Sequence, residues 1–269
     1  MANLPTLLNK KNFLAVLLFL PFSMPLMGCP GPQRQIRNGT KLALPALLKN
    51  ARKEREVIQA LEGRAKLRVY HPNGRRSTYR LFFQLQRPNR LHFSITIAMQ
   101  PVVVATSDGK NCALFQVTQK TFWKGPATRL PRVLGQFLPP QLPLEQLVPI
   151  LFGELPVFPG KPSKPVLESR SGWTRYSIKG DSFQQLLWMD GTKQQFRKTR
   201  LSYKNKPPLT LEYGTFRGKP PLPKRVIFRN KKSKQKIVWI FYNYDVNPKI
   251  KLKSFQQSVP KGKIKVEQL

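Results

Sequence analysis

Apolar and polar side chains alternate with a period of two over much of this chain, which restricts the possible folds severely. In residues 61–69 the odd positions are apolar or small and the even positions are charged. Residues 79–85 and 91–99 repeat the pattern on either side of the turn residues Pro88 and Asn89. Such alternation is typical of antiparallel strands with one buried face and one face in water.

We therefore predict a mainly β (α+β) fold built on a single large antiparallel curved sheet or incomplete β-barrel. The alternating segments number about eleven and recur roughly every ten residues. Turn sequences such as Asp108-Gly109 and Asp190-Gly191 separate them. This spacing favours hairpin connections over alternating βαβ units.

Two segments depart from the alternation and predict helices. In residues 43–60 apolar side chains recur at three- and four-residue spacing, which indicates an amphipathic helix that packs on the sheet. Residues 133–153 contain one charged side chain, Glu145, and prolines that forbid a long helix, so we predict two short apolar helices. These helices are either a hydrophobic plug of the sheet or a mobile lid over an apolar groove. Prolines between 156 and 165 then predict an extended return to the sheet.

The first residues of the chain have the features of a bacterial export signal. Two lysines precede the apolar residues 13–24, and Leu26-Met27-Gly28-Cys29 resembles the lipobox of lipoproteins. We therefore expect a lipoprotein signal peptide at 1–28, a lipidated Cys29 with its tether at 29–42, and one domain at 43–269. Acyl chains on Cys29 would anchor the protein to a membrane. Pro30, in place of an aspartate that would signal inner-membrane retention, favours the outer membrane on its periplasmic side.

Positive charge dominates the composition and is dense near the C-terminus. The chain has 48 Lys and Arg against 12 Asp and Glu, a formal net charge of +36. Such a charge calls for anionic partners. In an exported protein we expect lipid head groups, lipopolysaccharide phosphates or acidic cargo, and no nucleic acid. The alternative is a solvated edge that prevents strand pairing. The candidate anionic contact comprises Lys224, Arg225, Arg229, Lys231, Lys232, Lys234 and Lys236.

The sequence carries no recognisable catalytic, metal or cofactor motif. His71 and His92 are the two histidines and neither has a catalytic neighbour in the sequence, while the acidic residues are scattered. Cys112, the cysteine outside the lipobox, is best interpreted as a buried packing residue. We therefore predict a protein that is not an enzyme, with no catalytic residues, no metal site and no cofactor.

Together these features resemble the LolA/LolB lipoprotein-localisation superfamily. The resemblance rests on the lipobox cysteine, the tether, the amphipathic helix, the strands with short apolar helices inserted after the first five, and the closing sequence Val246-Asn247-Pro248 followed by Phe255. It implies an incomplete barrel with a helical lid over an apolar cavity for the acyl chains of lipoproteins in transit. The lipidated member of that family sits in the outer membrane, accepts cargo from a soluble LolA-like periplasmic carrier and inserts it into the bilayer.

The resemblance and the alternation together assign candidate residues. Met99 and Val102 match the loop that enters the membrane in LolB-like proteins. Acyl chains of lipoproteins or lipids would be the ligand. They would be held by the burial of apolar surface, which needs no covalent step. The alternative function is a non-catalytic envelope adaptor that binds an anionic polymer, lipid head groups or a partner protein through its basic surface. The cavity and lid would be lined by Leu81, Phe83, Phe93, Ile95, Leu147, Ile150, Leu151, Trp188 and Trp239.

Overall fold

A computed structural model describes residues 43–139, 142–168, 171–193 and 195–269. The predicted signal peptide, Cys29 and the tether lie outside the described residues. Three helices are present, α1 (Leu44–Glu56), α2 (Leu130–Val133) and α3 (Leu144–Leu151), with single 3-10 turns at Ala127–Arg129 and Leu252–Phe255. Within the described part of the chain, no helix is long and apolar enough to cross a bilayer.

Seventeen strands account for most of the other described residues. They are β1 (Ala60–Tyr70), β2 (Arg76–Gln86), β3 (Arg90–Ile97), β4 (Gln100–Ser107), β5 (Asn111–Gln116), β6 (Thr121–Pro126), β7 (Lys161–Pro162), β8 (Val166–Glu168), β9 (Trp173–Lys179), β10 (Phe183–Asp190), β11 (Gln195–Tyr203), β12 (Leu209–Tyr213), β13 (Phe216–Arg217), β14 (Leu222–Pro223), β15 (Arg225–Asn230), β16 (Gln235–Val246) and β17 (Lys265–Gln268).

Fifteen of these strands form one sheet, in the order β17-β6-β5-β4-β3-β2-β1-β16-β15-β12-β11-β10-β9-β7, with β8 also pairing with β9. The two ends of this order do not pair with each other, so the described sheet is not closed into a barrel. The short strands β13 and β14 form a separate pair. The predicted fold class is confirmed: the chain is mainly β, with one large sheet, an N-terminal helix and few short helices.

Two details of the sheet differ from the expectation. The strand count exceeds eleven because six strands were not predicted: β6, whose residues do not alternate regularly, and β7, β8, β13, β14 and β17, which have only two to four residues. The sheet is also mixed, since β17 lies parallel to β6, with Lys265 opposite Thr121. This pairing joins segments far apart in sequence, so no turn motif between them could predict it.

Alternation builds the sheet core as predicted. Over residues 61–70 of β1, 80–86 of β2 and 90–96 of β3 the odd residues are buried and the even ones are partly or fully exposed. The buried residues join those of β12, β15 and β16 in one main core. Gly63 lies where β1 meets β16 closely: a Cβ there would be 2.3 Å from the carbonyl oxygen of Asn243, so a side chain does not fit.

The helix α1 packs on the end of the sheet that is formed by β9, β10 and β11. It begins with Pro45 in its first turn, and Leu44 and Leu47 pack on β9, β10 and β11 in a second core. It ends at Glu56, short of the predicted 60, because the next backbone N–H groups are bound by Asn247. The Oδ1 of this side chain accepts hydrogen bonds from the N–H groups of Gln59 (2.7 Å) and Ala60 (3.2 Å), and its Nδ2 donates to Val57 (2.8 Å).

The predicted apolar helices α2 and α3 lie on the main core. Leu144, Leu147, Val148, Ile150 and Leu151 of α3 are all buried. Together with Leu130, Leu134 and neighbouring residues, these side chains cover the apolar face of β1–β5 and of β12, β15 and β16. In this arrangement the inserted segment closes the interior of the sheet.

Candidate ligand-binding groove

Eight of the nine predicted cavity residues come together in the main core. Each is at most 2% exposed, and the rings of Phe93 and Trp239 pack edge to face with 5.3 Å between their centroids. In the described structure they belong to one core, in which three residues of α3 pack with five residues of the sheet. The eight are Leu81, Phe83, Phe93, Ile95, Leu147, Ile150, Leu151 and Trp239.

Trp188 lies apart from the other eight. Its neighbours Leu187 and Met189 in β10 belong to the second core beside α1, so Trp188 points to the opposite face of the sheet. There its Nε1 donates a hydrogen bond to Glu168 (2.9 Å), and the Lys198 ammonium lies 4.6 Å from its ring centroid. Single-strand alternation could not reveal this, because three consecutive residues of β10 are buried.

A groove lies between α1 and the extended segment 153–159 that follows α3, and β11 contributes Phe196. Its volume is about 780 Å³, within the ~300–1,000 Å³ of typical small-molecule sites. Lys49, Arg52 and Lys53 stand along the helix side, all exposed. The apolar lining is Pro45, Leu48, Ala51, Leu155, Val157, Phe158 and Phe196.

The extended wall of this groove is held by a buried glutamine. Gln185 of β10 is fully buried, and its Oε1 accepts a hydrogen bond from the N–H of Phe158 (3.1 Å). Its Nε2 donates to the carbonyl of Pro156 (2.5 Å) and to the hydroxyl of Thr199 (3.0 Å). Prolines 156 and 159 lack the N–H groups a helix would need, so the segment stays extended and its polar backbone is satisfied by Gln185.

A polar cluster closes one end of the groove. Arg87 donates to the carbonyl oxygen of Ile58 (2.7 Å) and pairs with the carboxylate of Glu154. The buried Tyr213 hydroxyl donates to the carbonyl of Ile150 (2.9 Å), and burial raises the pKa of this hydroxyl, against the opposing effect of Arg55. Burial also lowers the pKa of the Arg55 guanidinium, while Tyr213 and acidic neighbours oppose that shift. The cluster joins α1, the β2–β3 turn and the end of α3.

Sequence reasoning did not identify this groove. Its helix wall consists mainly of exposed or partly buried residues of α1, and its other wall comes from a proline-rich segment that we interpreted as a connection. Leu48 and Ala51 belong to the apolar stripe that the sequence shows, but they are only partly buried against the second core and therefore also line the groove.

Met99 occupies the tip of the β3–β4 hairpin. Its side chain is 75% exposed, and the Arg80 Nη1 lies 2.8 Å from its sulfur. Ala98 and Met99 both have positive φ, 45° and 71°, a conformation that normally selects asparagine or glycine. Val102 lies within β4, half-buried against the main core, so Met99 is the member of the predicted pair that reaches the tip.

The predicted basic residues lie around β15 and β16. Lys231, Lys232 and Lys234 are exposed in the turn between these strands, and Lys224 and Arg225 are exposed near the start of β15. Arg229 and Lys236 are register partners and therefore share one face of the sheet. On that face Tyr70 of β1 pairs with Lys236, whose ammonium lies 4.8 Å from its ring centroid.

The sheet face that carries Arg229 and Lys236, here called the cationic face, also extends beyond the predicted residues. Register continues it through Thr210 to Arg200, and through β1, where Arg64, Lys66 and Arg68 occupy the outward-facing even positions. The sequence shows that the even-numbered residues from 62 to 68 of β1 are charged. What the sequence lacked was the pairing of β1 with β16, which joins these cations to those of the C-terminal strands.

The remaining candidate chemical groups are engaged in the fold. Burial raises the pKa of the Cys112 thiol to about 11, so the thiol stays protonated at neutral pH. His92 meets the backbone carbonyl of Ser254 (Nδ1 to O, 2.9 Å), and His71 meets the hydroxyl of Ser77 (3.0 Å). Among the described residues no cluster of metal-ligating side chains occurs.

Comparison with known proteins supports the fold. No protein-family model and no curated protein sequence matches the chain. A LolA superfamily protein from Nitrosomonas europaea superposes with a TM-score of 0.54 at 16% identity, covering 80% of this chain and 98% of that one. A domain described as outer membrane lipoprotein-sorting, from Vibrio parahaemolyticus, gives 0.53 at 8% identity, with 77% and 95% coverage.

A Desulfovibrio piger protein from a domain family of unknown function gives a TM-score of 0.53 at 8% identity, covering 79% of this chain and 96% of that one. The described residues thus share their fold with a LolA superfamily protein and with a domain described as outer membrane lipoprotein-sorting.

Proposed function

We propose that this chain is an outer-membrane lipoprotein that binds the acyl chains of lipoproteins or lipids and inserts them into the membrane. One observation carries the proposal. A groove of about 780 Å³ with an apolar lining runs along α1 in a fold shared with a lipoprotein-sorting domain. Each methylene buried there would contribute about 0.8 kcal/mol, so a long chain is held without any covalent step.

Anchoring and delivery form the second part of the proposal. Acylation of Cys29 would keep the protein on the periplasmic side of the outer membrane, where a soluble LolA-like carrier would pass cargo to it. Met99 supports the delivery step, because an exposed apolar side chain at a hairpin tip can enter a bilayer. The strained backbone at Ala98 and Met99 holds that side chain outward.

The predicted lid has a defined place in this proposal. Leu147, Ile150 and Leu151 close the interior in the described structure, and the groove wall 153–159 follows α3 directly along the chain. Displacement of α3 would therefore extend the groove over the main core and bring the predicted cavity residues into contact with the acyl chain. Gly153, with φ of +88°, is the connection at which such a movement would turn.

The test is co-purification of acyl chains with the full chain from bacterial envelopes, read by native mass spectrometry. Ala51→Trp places an indole inside the groove, whereas Ala46→Trp places it on an exposed position of the same helix outside the groove. We expect bound acyl lipid with the unmodified chain and Ala46→Trp, and its loss with Ala51→Trp. Equal occupancy in all three, or none in any, would refute acyl binding in this groove.

A second function is favoured by the cationic face. Arg229, Lys236 and the β1 cations lie on the surface opposite the main core, and would suit an envelope adaptor for an anionic polymer or lipid head groups. Such binding between exposed charges weakens with salt, because the screening length falls from about 10 Å at 0.1 M to about 3 Å at 1 M. Envelope partners released by salt, with an empty groove, would favour this adaptor over the carrier.

A further inference from the structure

Arg55 is a buried cation whose charge is not neutralised within the described structure. It is 3% exposed, and its Nη1 donates to the carbonyl of Ala51 (2.8 Å), a bond within its own helix. Its Nε is buried with no acceptor. In the described part of the chain no carboxylate forms an ion pair with it, and the carboxylate of the nearby Glu154 is paired with Arg87.

A buried guanidinium remains charged, so an unpaired one is costly unless an anion or further acceptors compensate it. The surroundings of Arg55 supply an aromatic ring, Phe216, whose centroid lies 5.4 Å from Cζ, while in the described residues Glu54 and Glu154 act on it only at longer range, without a hydrogen bond or ion pair. Gly153 leaves space at this point, because a Cβ there would lie 3.2 Å from the Arg55 Nε. The site is therefore shaped around the guanidinium without satisfying it.

Arg55 also lines the groove of the proposed function. The other charged residues of the lining are the exposed Lys49, Arg52 and Lys53 on the same helix, the exposed Glu56, and Glu154, which Arg87 already neutralises. Cations thus outnumber the acids available to pair with them. The apolar lining begins within one helical turn of Arg55, at Ala51.

We propose that the ligand of this groove is a single-chain amphiphile with an oxyanion head group, a carboxylate or a phosphate, which accepts hydrogen bonds from Arg55. This inference rests on the proposed acyl-chain binding and specifies its ligand class. The planar fork of a guanidinium matches both head groups in geometry and charge. The acyl chain then runs along Leu48, Ala51 and Val157, beneath the row of exposed helix cations.

The experiment offers the full chain, released from neutral maltoside micelles, an equimolar mixture of oleate and mono-oleoylglycerol, with bound masses read by native mass spectrometry. The same chain length on both probes leaves the head group as the difference between them. Mono-oleoyl phosphatidate and inorganic phosphate are tested in parallel. We expect both anionic lipids to be preferred over the neutral lipid by about tenfold or more, as a charge-assisted hydrogen bond supplies.

Three variants locate the preference. Arg55→Met keeps much of the side-chain volume and removes the charge, so the preference should disappear while neutral lipid still binds. Arg55→Lys keeps the charge without the fork and should retain part of the preference. Arg129→Met makes the same change at an exposed arginine outside the groove and should behave as the unmodified chain.

The outcomes separate this inference from the proposed function. Equal binding of oleate and mono-oleoylglycerol to the unmodified chain would overturn the head-group inference and leave acyl binding intact, without recourse to any variant. Binding of inorganic phosphate with no preference among the lipids would overturn it as well, because the site would then be one for free oxyanions. Absence of every lipid from the unmodified chain would overturn the proposed function itself.

Discussion

Replacement of Met99 by asparagine separates the membrane role of the β3–β4 hairpin from its stability. Complete burial of a methionine side chain contributes about 1.5–3 kcal/mol. Since 75% of the Met99 side chain is exposed, entry into a membrane would bury enough to contribute roughly 1–2 kcal/mol. Met99→Asn should therefore weaken association with vesicles about five- to thirtyfold. The fold should be unharmed, because asparagine tolerates the φ of 71° at this position better than methionine.

Vesicle flotation of residues 43–269, which omit the predicted anchor, measures this association, and urea unfolding measures stability. Leu252→Asn is the matched control: Leu252 is 61% exposed but lies in the 3-10 turn Leu252–Phe255, outside the β3–β4 turn, so its replacement should change association less than twofold. Association of Met99→Asn within twofold of the unmodified protein, or an equal loss in both variants, would refute a specific role for the tip.

Further predictions concern stability and reactivity. Leu151→Ala should lower the free energy of unfolding by roughly 2–5 kcal/mol in urea titration, because Leu151 is 2% exposed in the main core, whereas Val133→Ala, at a 36% exposed position, should change it by less than about 1 kcal/mol. Asn247→Gly keeps the positive φ but removes three hydrogen bonds at the end of α1, and should cost about 1–3 kcal/mol in the same titration. The raised pKa of Cys112, about 11, keeps its thiol protonated at pH 8, so iodoacetamide should modify it in urea and leave it intact in the native protein; rapid native labelling would show that β5 opens.

The sequence predicted the regular part of the fold well where one face of a long strand is exposed to solvent and the other is buried. In β1 and β3 every second residue must be apolar, so strand, face and approximate register can be inferred from the alternation alone. The amphipathic stripe of α1 was equally clear. The short strands β7 and β13 and the parallel pairing of β17 depend on contacts between distant segments, which leave no local pattern.

The binding site was harder to predict for a physical reason. Alternation identifies residues that avoid water, but Phe83 in a packed core and Phe158 in an open groove satisfy that condition equally. The position of Trp188 apart from the other predicted cavity residues could not be inferred from alternation, because Leu187 and Met189 beside it are also buried. Arg55 was hidden among the charges of α1, and its burial follows from the position of the helix end beside Gly153 and Phe216, which only tertiary structure provides.

The central claim is that an acyl chain occupies the groove between α1 and residues 153–159. Its most direct test is photo-crosslinking of the full chain in bacterial envelopes with a fatty acid carrying a diazirine near its terminal methyl, followed by mapping of the labelled peptides. The account predicts label on Leu48, Ala51, Val157 or Phe158, which line the groove from both walls. Label confined to the cationic face, or absent from both groove walls while other envelope proteins are labelled, would contradict it.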